Sequence, residues 1–380
     1  MGYFSNVKKS FKLKHCINYI GVTLFLVLMI LLDSFGMIPR STIGLLSRIA
    51  YSIILAVSLN LVVGFLGELS LGHAGFMCVG AYIGCFCANL MHNAMSSKLL
   101  VLILSLLIGG AVAAVFGFII GLPALRLKGD YLAIVTLAFG EIVRNVFKNL
   151  DMFGGAMGLS TNKYSAKGLY IVSFVVLLIV LFLIQSLIRS KHGRAITAIR
   201  DNEIAAKAMG INVTFYKLFV FVVSAFFAGL AGVLYGHYTT PILPQFFSYN
   251  YSIEILVMVV LGGMGSINGS ILAAMLITYI NFLLQNHLSG DLAALKYLIY
   301  ALILIFVVLF NNAPALLPLK EKISLRTLIR RRKTKPEVIK DDAAEWHVVP
   351  TKIKMDEILS TEVTPKSDPN KADPPKKEEK

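Results

Sequence analysis

Between Gly64 and Gly75, four glycines, a carboxylate and an imidazole interrupt two apolar runs; the residues are Gly64, Gly67, Glu68, Ser70, Gly72, His73 and Gly75. Glycine at this density disfavours a continuous helix. In hydrocarbon a broken backbone persists only when it is buried in protein or lines a wet cavity. Ionisable groups at such depth mark a passage for a polar solute or a proton relay; the alternative is that Glu68 and His73 lie at a membrane interface. A second cluster runs from Gly129 to Arg144 and sets Glu141 and Arg144 three residues apart, the spacing at which helical side chains pair. Such a pair either lines a passage or serves as a structural pair at the interface. A third segment, Gly193 to Asn212, is polar and favours helix, and it contains Arg194, Arg200, Asp201, Glu203, Ala205, Ala206 and Gly210. Asp201 or Asn202 is a cap for a short helix there and Gly210 its terminator. Small residues on one face of that helix suit insertion into a partner's groove.

None of these clusters is built for covalent chemistry. The apolar segments hold neither paired catalytic carboxylates nor a metal-ligand cluster. No G-x-x-x-x-G-K-[ST] is present to cradle nucleotide phosphates, so energy from a nucleotide must come through a partner. Gly262, Gly263 and Gly265 are close together, but without the preceding soluble strand that a dinucleotide site needs. Cys16, Cys78, Cys85 and Cys87 fall within or beside apolar segments and form neither a disulfide framework nor a zinc spacing. No cofactor, metal or catalytic residue is expected.

The elements that must position these residues follow from composition. Of 380 residues 57% are hydrophobic and 15% charged, with a mean hydropathy of +0.74, whereas soluble domains run to roughly 25% charged. Repeated apolar stretches near the ~20 residues that cross hydrocarbon predict an all-α, polytopic transmembrane bundle. About ten spans are expected, at 16–38, 43–66, 75–95, 99–122, 131–147, 168–188, 214–239, 250–265, 266–288 and 292–312. The short, polar-containing segments 131–147 and 250–265 are candidates for re-entrant structure. The net charge of +15 does not point to nucleic acid. Residues 1–319 hold 20 Lys+Arg against 9 Asp+Glu, mostly between apolar spans, as the positive-inside rule requires. On this count residues 1–15 form a basic cytoplasmic N-terminus, 16–312 the membrane domain with a cytoplasmic loop at 189–213, and 313–380 a cytoplasmic tail. The tail begins with nine Lys+Arg against two Asp+Glu over 320–340, suited to anionic lipid, and its remainder has a disordered composition. Ala113, Gly117 and Gly121, and Ala228, Gly232 and Gly236, are spaced for close helix packing. Tyr51-Ser52-Ile53 and Tyr251-Ser252-Ile253 each open a span that later breaks at glycine, a weak echo of an internal repeat.

Five segments taken in order, Ser58 to Gly64, Leu69 to Gly75, Tyr131 to Arg144, Arg200 to Asn212 and Ser252 to Ser266, resemble the high-affinity branched-chain amino acid permease family from about residue 45 to 312. Within it the chain is similar to the M-type member of the two-permease pair. The resemblance implies an ATP-driven importer in the bacterial inner membrane. Its partners would be a second, H-type permease, two cytoplasmic ATP-binding subunits and an extracytoplasmic substrate-binding protein. The 200–212 stretch resembles the loop by which such permeases dock their ATPases, with Ile204 where a Glu usually stands. The matching segments add Asn60, Thr136, Glu254, Gly262, Gly263 and Gly265 to the pathway candidates Gly67, Glu68, Ser70, Gly72, His73, Gly75 and Glu141. Related permeases carry urea, pentoses or nucleosides, and an ion-coupled transporter using Glu68, His73 and Glu141 is the rival class. The sequence departs from the family at Phe310-Asn311-Asn312-Ala313-Pro314, where Arg-Pro-Arg-Gly is common, and in the length of its tail.

Overall fold

The computed structural model describes residues 40–92, 97–127, 129–161, 164 and 166–287, with isolated positions at 21, 22, 27, 302 and 305. The expected spans at 16–38 and 292–312, the basic N-terminus and the tail lie outside the described residues. Within them the chain is helical, with one isolated bridge between Leu159 and Ile242. Six helices are long and apolar enough to cross a membrane, and the all-α polytopic bundle is as the composition requires.

Helix α1 (Arg40–Asn60) runs into a π-helical turn at Leu61–Leu66, and its apolar window is wholly enclosed by other elements. Helices α2 (His73–His92), α3 (Lys98–Ala124) and α8 (Val213–Tyr238) pack tightly around small residues. Gly80 faces Gly229, Gly84 and Gly109 share Val233, Gly232 abuts the Met77 carbonyl, and Gly117 meets Ala225. The four-residue spacing of small residues is thus used for close backbone approach, as lipid-embedded helices require. The pairings also fix direction. Helix α8 runs parallel to α2 (Gly229 to Gly80, Gly236 to Cys85) and antiparallel to α1, where Ser224 bonds Ser58 and Tyr235 packs on Tyr51.

Helix α4 (Asp130–Asn149) lies parallel to α2, with Thr136 beside Gly72, Gly140 beside Gly75, and Phe147 stacked on Tyr82 at 4.7 Å. Helix α5 (Ala166–Arg189) returns to the end that bears the polar loop, which folds as α6 (Lys191–Asp201) and α7 (Glu203–Ala208). Beyond α8 the chain dips back into the bundle. The Tyr82 hydroxyl donates to the Ile242 carbonyl at 2.8 Å, Phe247 packs on Tyr82 and Tyr235, and α9 (Tyr249–Gly262) begins beside Glu141. Fourteen residues rise about 21 Å, short of the ~30 Å hydrocarbon core. The 250–265 segment is therefore a partial span, starting inside the bundle and emerging at the α6–α7 end. Helix α10 (Ile267–His287) then runs back along α1 and α9.

Candidate functional site

Two interrupted helices meet at the α6–α7 end. The π turn of α1 closes on Gly67, whose φ of +83° is a left-handed conformation that glycine adopts without strain. The α9–α10 break uses Gly263 and Gly265, at φ +87° and +79°. Asn60, fully buried where α1 passes into the π turn, ties the two together. Its Nδ2 donates to the Ser266 carbonyl (3.1 Å) and to Ser270 Oγ (2.9 Å), and its Oδ1 accepts from the Gly265 amide (2.9 Å). A Cβ on Gly64 would collide with Asn60 Oδ1 and the Gly265 nitrogen, so only glycine lets the breaks touch. Gly262 is likewise pressed against the backbone of Gly269.

The polar loop reaches this junction through two side chains. Arg200, near the end of α6, donates from Nη1 to the Gly64 carbonyl (3.1 Å), a group that the π turn leaves available, and its Cγ would lie 2.7 Å from a Cβ at Gly67. Asp201 accepts from Arg200 Nε and Nη2 at 3.0 and 2.9 Å, holding the guanidinium in that plane. Lys217 enters from the first turn of α8, buried, and binds Glu68 (2.5 Å) and Glu203 of α7 (3.2 Å). Glu68 is thus placed at the loop end by an ion pair that also holds the loop helix. Asn202 caps α7 by accepting from the Ala205 amide (3.0 Å), and Gly210 at φ +81° ends it, as the sequence suggested.

Within α7 the small residues divide. Ala206 is 4% exposed and packs into this chain, whereas Ile204 and Met209 are each 82% exposed beside exposed Ala205 and Gly210. The outward surface of α7 includes Ile204, Ala205, Lys207, Ala208 and Met209, whereas Ala206 packs against the body of its own chain. Arg194 is exposed on α6.

Deeper in, the glycine segment binds helices to one another. His73 is buried. Ser58 gives its proton to the Leu55 carbonyl (3.0 Å), which leaves the His73 Nε2 at 2.8 Å as the donor of that pair. The Leu71 amide donates to Thr136 Oγ1 (3.0 Å) and the Ala74 amide to Ser252 Oγ (3.1 Å). Ser70 is buried in the same turn. Gly72 and Gly75 face α4, where a Cβ would strike the Thr136 carbonyl or lie 2.7 Å from Gly140 Cα, so in this structure they make a helix contact and do not border open space. Glu254 accepts from Asn281 on α10. Glu141 pairs with Arg144 at 2.5 Å and accepts the Tyr249 amide at 2.9 Å. Among the described residues no group of three metal-ligating side chains occurs.

Sequence reasoning did not single out Lys217, which lies inside the expected 214–239 span. The signal was a lysine four residues into an apolar helix, a position that needs a partner. Ser252, Ser266 and Ser270 carried no signal, since a serine in a span is compatible with a bond to its own helix.

A multi-pass helical bundle with two glycine-broken helices joined at one end has the form of a membrane permease subunit. Residues 41–308 match the family model described as branched-chain amino acid transport system / permease component, and the chain belongs to that family. It is 35% identical over 283 residues to the high-affinity branched-chain amino acid transport system permease protein LivM of Salmonella typhimurium, covering 66% of this chain and 65% of that one; LivM of Escherichia coli matches equally. The probable LivM of Methanocaldococcus jannaschii is 27% identical, over 71% of this chain and 91% of its own length. The chain spans about two thirds (65%) of the first two relatives' length. No solved structure matches.

Proposed function

We propose that this chain is one permease of an ATP-driven importer of branched-chain amino acids, forming half of the pathway beside an H-type permease. In this reading the α6–α7 loop and both termini are cytoplasmic, in the inner membrane. Two ATP-binding subunits dock on the loop and an extracytoplasmic binding protein delivers substrate. The identity to LivM supports the M-type assignment and the substrate class, and a weaker match of 22% identity to LivH of Salmonella typhimurium fits a paired system. The observation that carries the mechanism is that one loop grips the α1 break at two points. Arg200 bonds the α1 turn at Gly64 and Glu203 shares Lys217 with Glu68. A displacement of α7 by a docked ATPase must then move the Gly64–Glu68 turn, and Asn60 passes that movement to the α9–α10 break.

Exposed Ile204 and Met209 on an otherwise polar loop are apolar surface that a protein partner would cover. The test is Ile204→Asp with Met209→Asp in the detergent-purified complex and in proteoliposomes. Burying two unpaired carboxylates should lose the ATPase subunits from the complex and abolish ATP-driven leucine uptake, since each ~1.4 kcal/mol lost weakens docking tenfold. Full ATPase retention with full uptake would remove the loop from docking. Leucine uptake that persists without any ATPase subunit would favour the ion-coupled class instead.

A further inference from the structure

One charged pair is left over by this coupling scheme. Glu141 and Arg144 lie far from the α6–α7 end. Ser224 stands seven residues beyond Lys217 on α8, a rise of about 10 Å, and the Gly75–Gly140 contact puts Glu141 roughly 3 Å further in. That depth approaches the middle of a ~30 Å hydrocarbon core. An ion pair there is costly and contributes little to stability compared with an apolar pair. Two structural features of the pair go beyond mutual neutralisation. The side chains remain 24% and 26% exposed, open to a face of α4 that the described residues leave uncovered, and Arg144 Nε is buried with no hydrogen-bond partner. Tyr249, at the start of α9, is exposed beside Glu141. The start of α9 is fixed against Glu141 by the Tyr249 amide.

We propose that Glu141 and Arg144 form a transient binding site for the zwitterionic head of the transported amino acid, with Glu141 taking the α-ammonium and Arg144 the α-carboxylate. The inference rests on the reading of this chain as an amino acid permease. An amino acid carries its two charges on either side of a single carbon, so a carboxylate and a guanidinium held three residues apart on one helix are complementary to it in sign and spacing. The substrate exchanges its own charges into an existing ion pair, so no net charge is left bare in hydrocarbon at any stage. Because the pair closes again on itself when the substrate leaves, the site holds weakly, as conduction requires. The planar fork of the Arg144 guanidinium suits the incoming carboxylate.

The decisive variant is the neutral pair Glu141→Gln with Arg144→Gln in the complete importer in proteoliposomes, read as leucine moved per ATP hydrolysed. The carboxamide introduced at position 141 can still accept the Tyr249 amide and bond its neighbour, so a purely structural pair survives the change. The expected result is a fall of about tenfold or more in leucine per ATP with ATP hydrolysis and subunit retention unchanged. A ratio within about twofold of the unmodified importer would overturn the site. If the double variant fails to assemble, Arg144→Lys decides, since it keeps the charge and loses the fork. Reduced leucine per ATP at normal hydrolysis supports the proposal, and an unchanged ratio overturns it. The unmodified importer serves as the separate control on the parent reading, because failure of that complex to move leucine at all would sink the substrate assignment, whatever the pair does.

Discussion

Replacing Lys217 with methionine keeps the length of the side chain and removes the cation that Glu68 and Glu203 share. Two carboxylates then face each other with no cation between them, the Glu68 side chain 14% exposed and Glu203 about one third exposed. Removing one partner of a buried ion pair costs roughly 3–5 kcal/mol, because the remaining charge is uncompensated. Glu203 can turn partly to solvent, where screening weakens its share, so the lower end, about 3 kcal/mol, is expected. That loss falls on the docking of α7 against the α1 turn, and the rest of the bundle is held by apolar contacts that the substitution leaves alone. The assay is the thermal unfolding midpoint of the purified permease pair, measured with uptake coupled to ATP hydrolysis. K217M should lower the midpoint and uncouple hydrolysis from transport. The triple variant Lys217→Met, Glu68→Gln, Glu203→Gln removes all three charges and should recover most of the stability without recovering coupling. A K217M complex as stable and as well coupled as the unmodified protein, or a triple variant no more stable than the single one, would refute the reasoning.

Asn60→Leu leaves the Gly265 amide without its buried acceptor and should destabilise the complex by about 3 kcal/mol, read as a lowered unfolding midpoint, and Asn60→Asp, which keeps that acceptor but sets a carboxylate against the Ser266 carbonyl in a fully buried site, should cost at least as much. Gly72→Ala places a methyl against the Thr136 carbonyl, so α2 and α4 must separate; a loss of about 1–3 kcal/mol is expected, together with weakened transport, and an unaffected midpoint would show that the contact is loose. Single cysteines at Lys191 and at exposed Met157, in a chain cleared of its own cysteines, should label from opposite faces of the membrane. Labelling from one face would overturn the orientation.

The sequence exposes some of this site and hides the rest, for physical reasons that differ by residue. Glycine density at 64–75 and 262–265 marks helix breaks directly, because the backbone preference is local. The α7 cap at Asn202 and stop at Gly210 are legible for the same reason. The partial span of α9 is legible as a short segment, 250–265, between glycine and loop signals, though its starting depth depends on the Ile242–Phe247 dip, which is set by packing on Tyr82. Partnership across the chain is not legible. Asn60 and Gly265, or Lys217 and Glu68, are separated by 205 and 149 residues, and nothing local in either member specifies the other.

That distinction changes what the polar candidates mean. An intramembrane asparagine, histidine or threonine reads from sequence as a pathway residue, because polarity in hydrocarbon needs a reason. In the folded chain Asn60, Thr136 and His73 find that reason in each other's helices, with their bonding groups engaged by Ser266, Ser270, Gly265, Leu71 and Ser58. They hold broken helices in register, and a solute could use them only after those bonds open. Opening them is what a displaced α7 would do through Arg200 and Lys217. Asn60, Thr136 and His73 therefore join helices in this structure, and substrate contact is proposed instead for Glu141 with its partner Arg144.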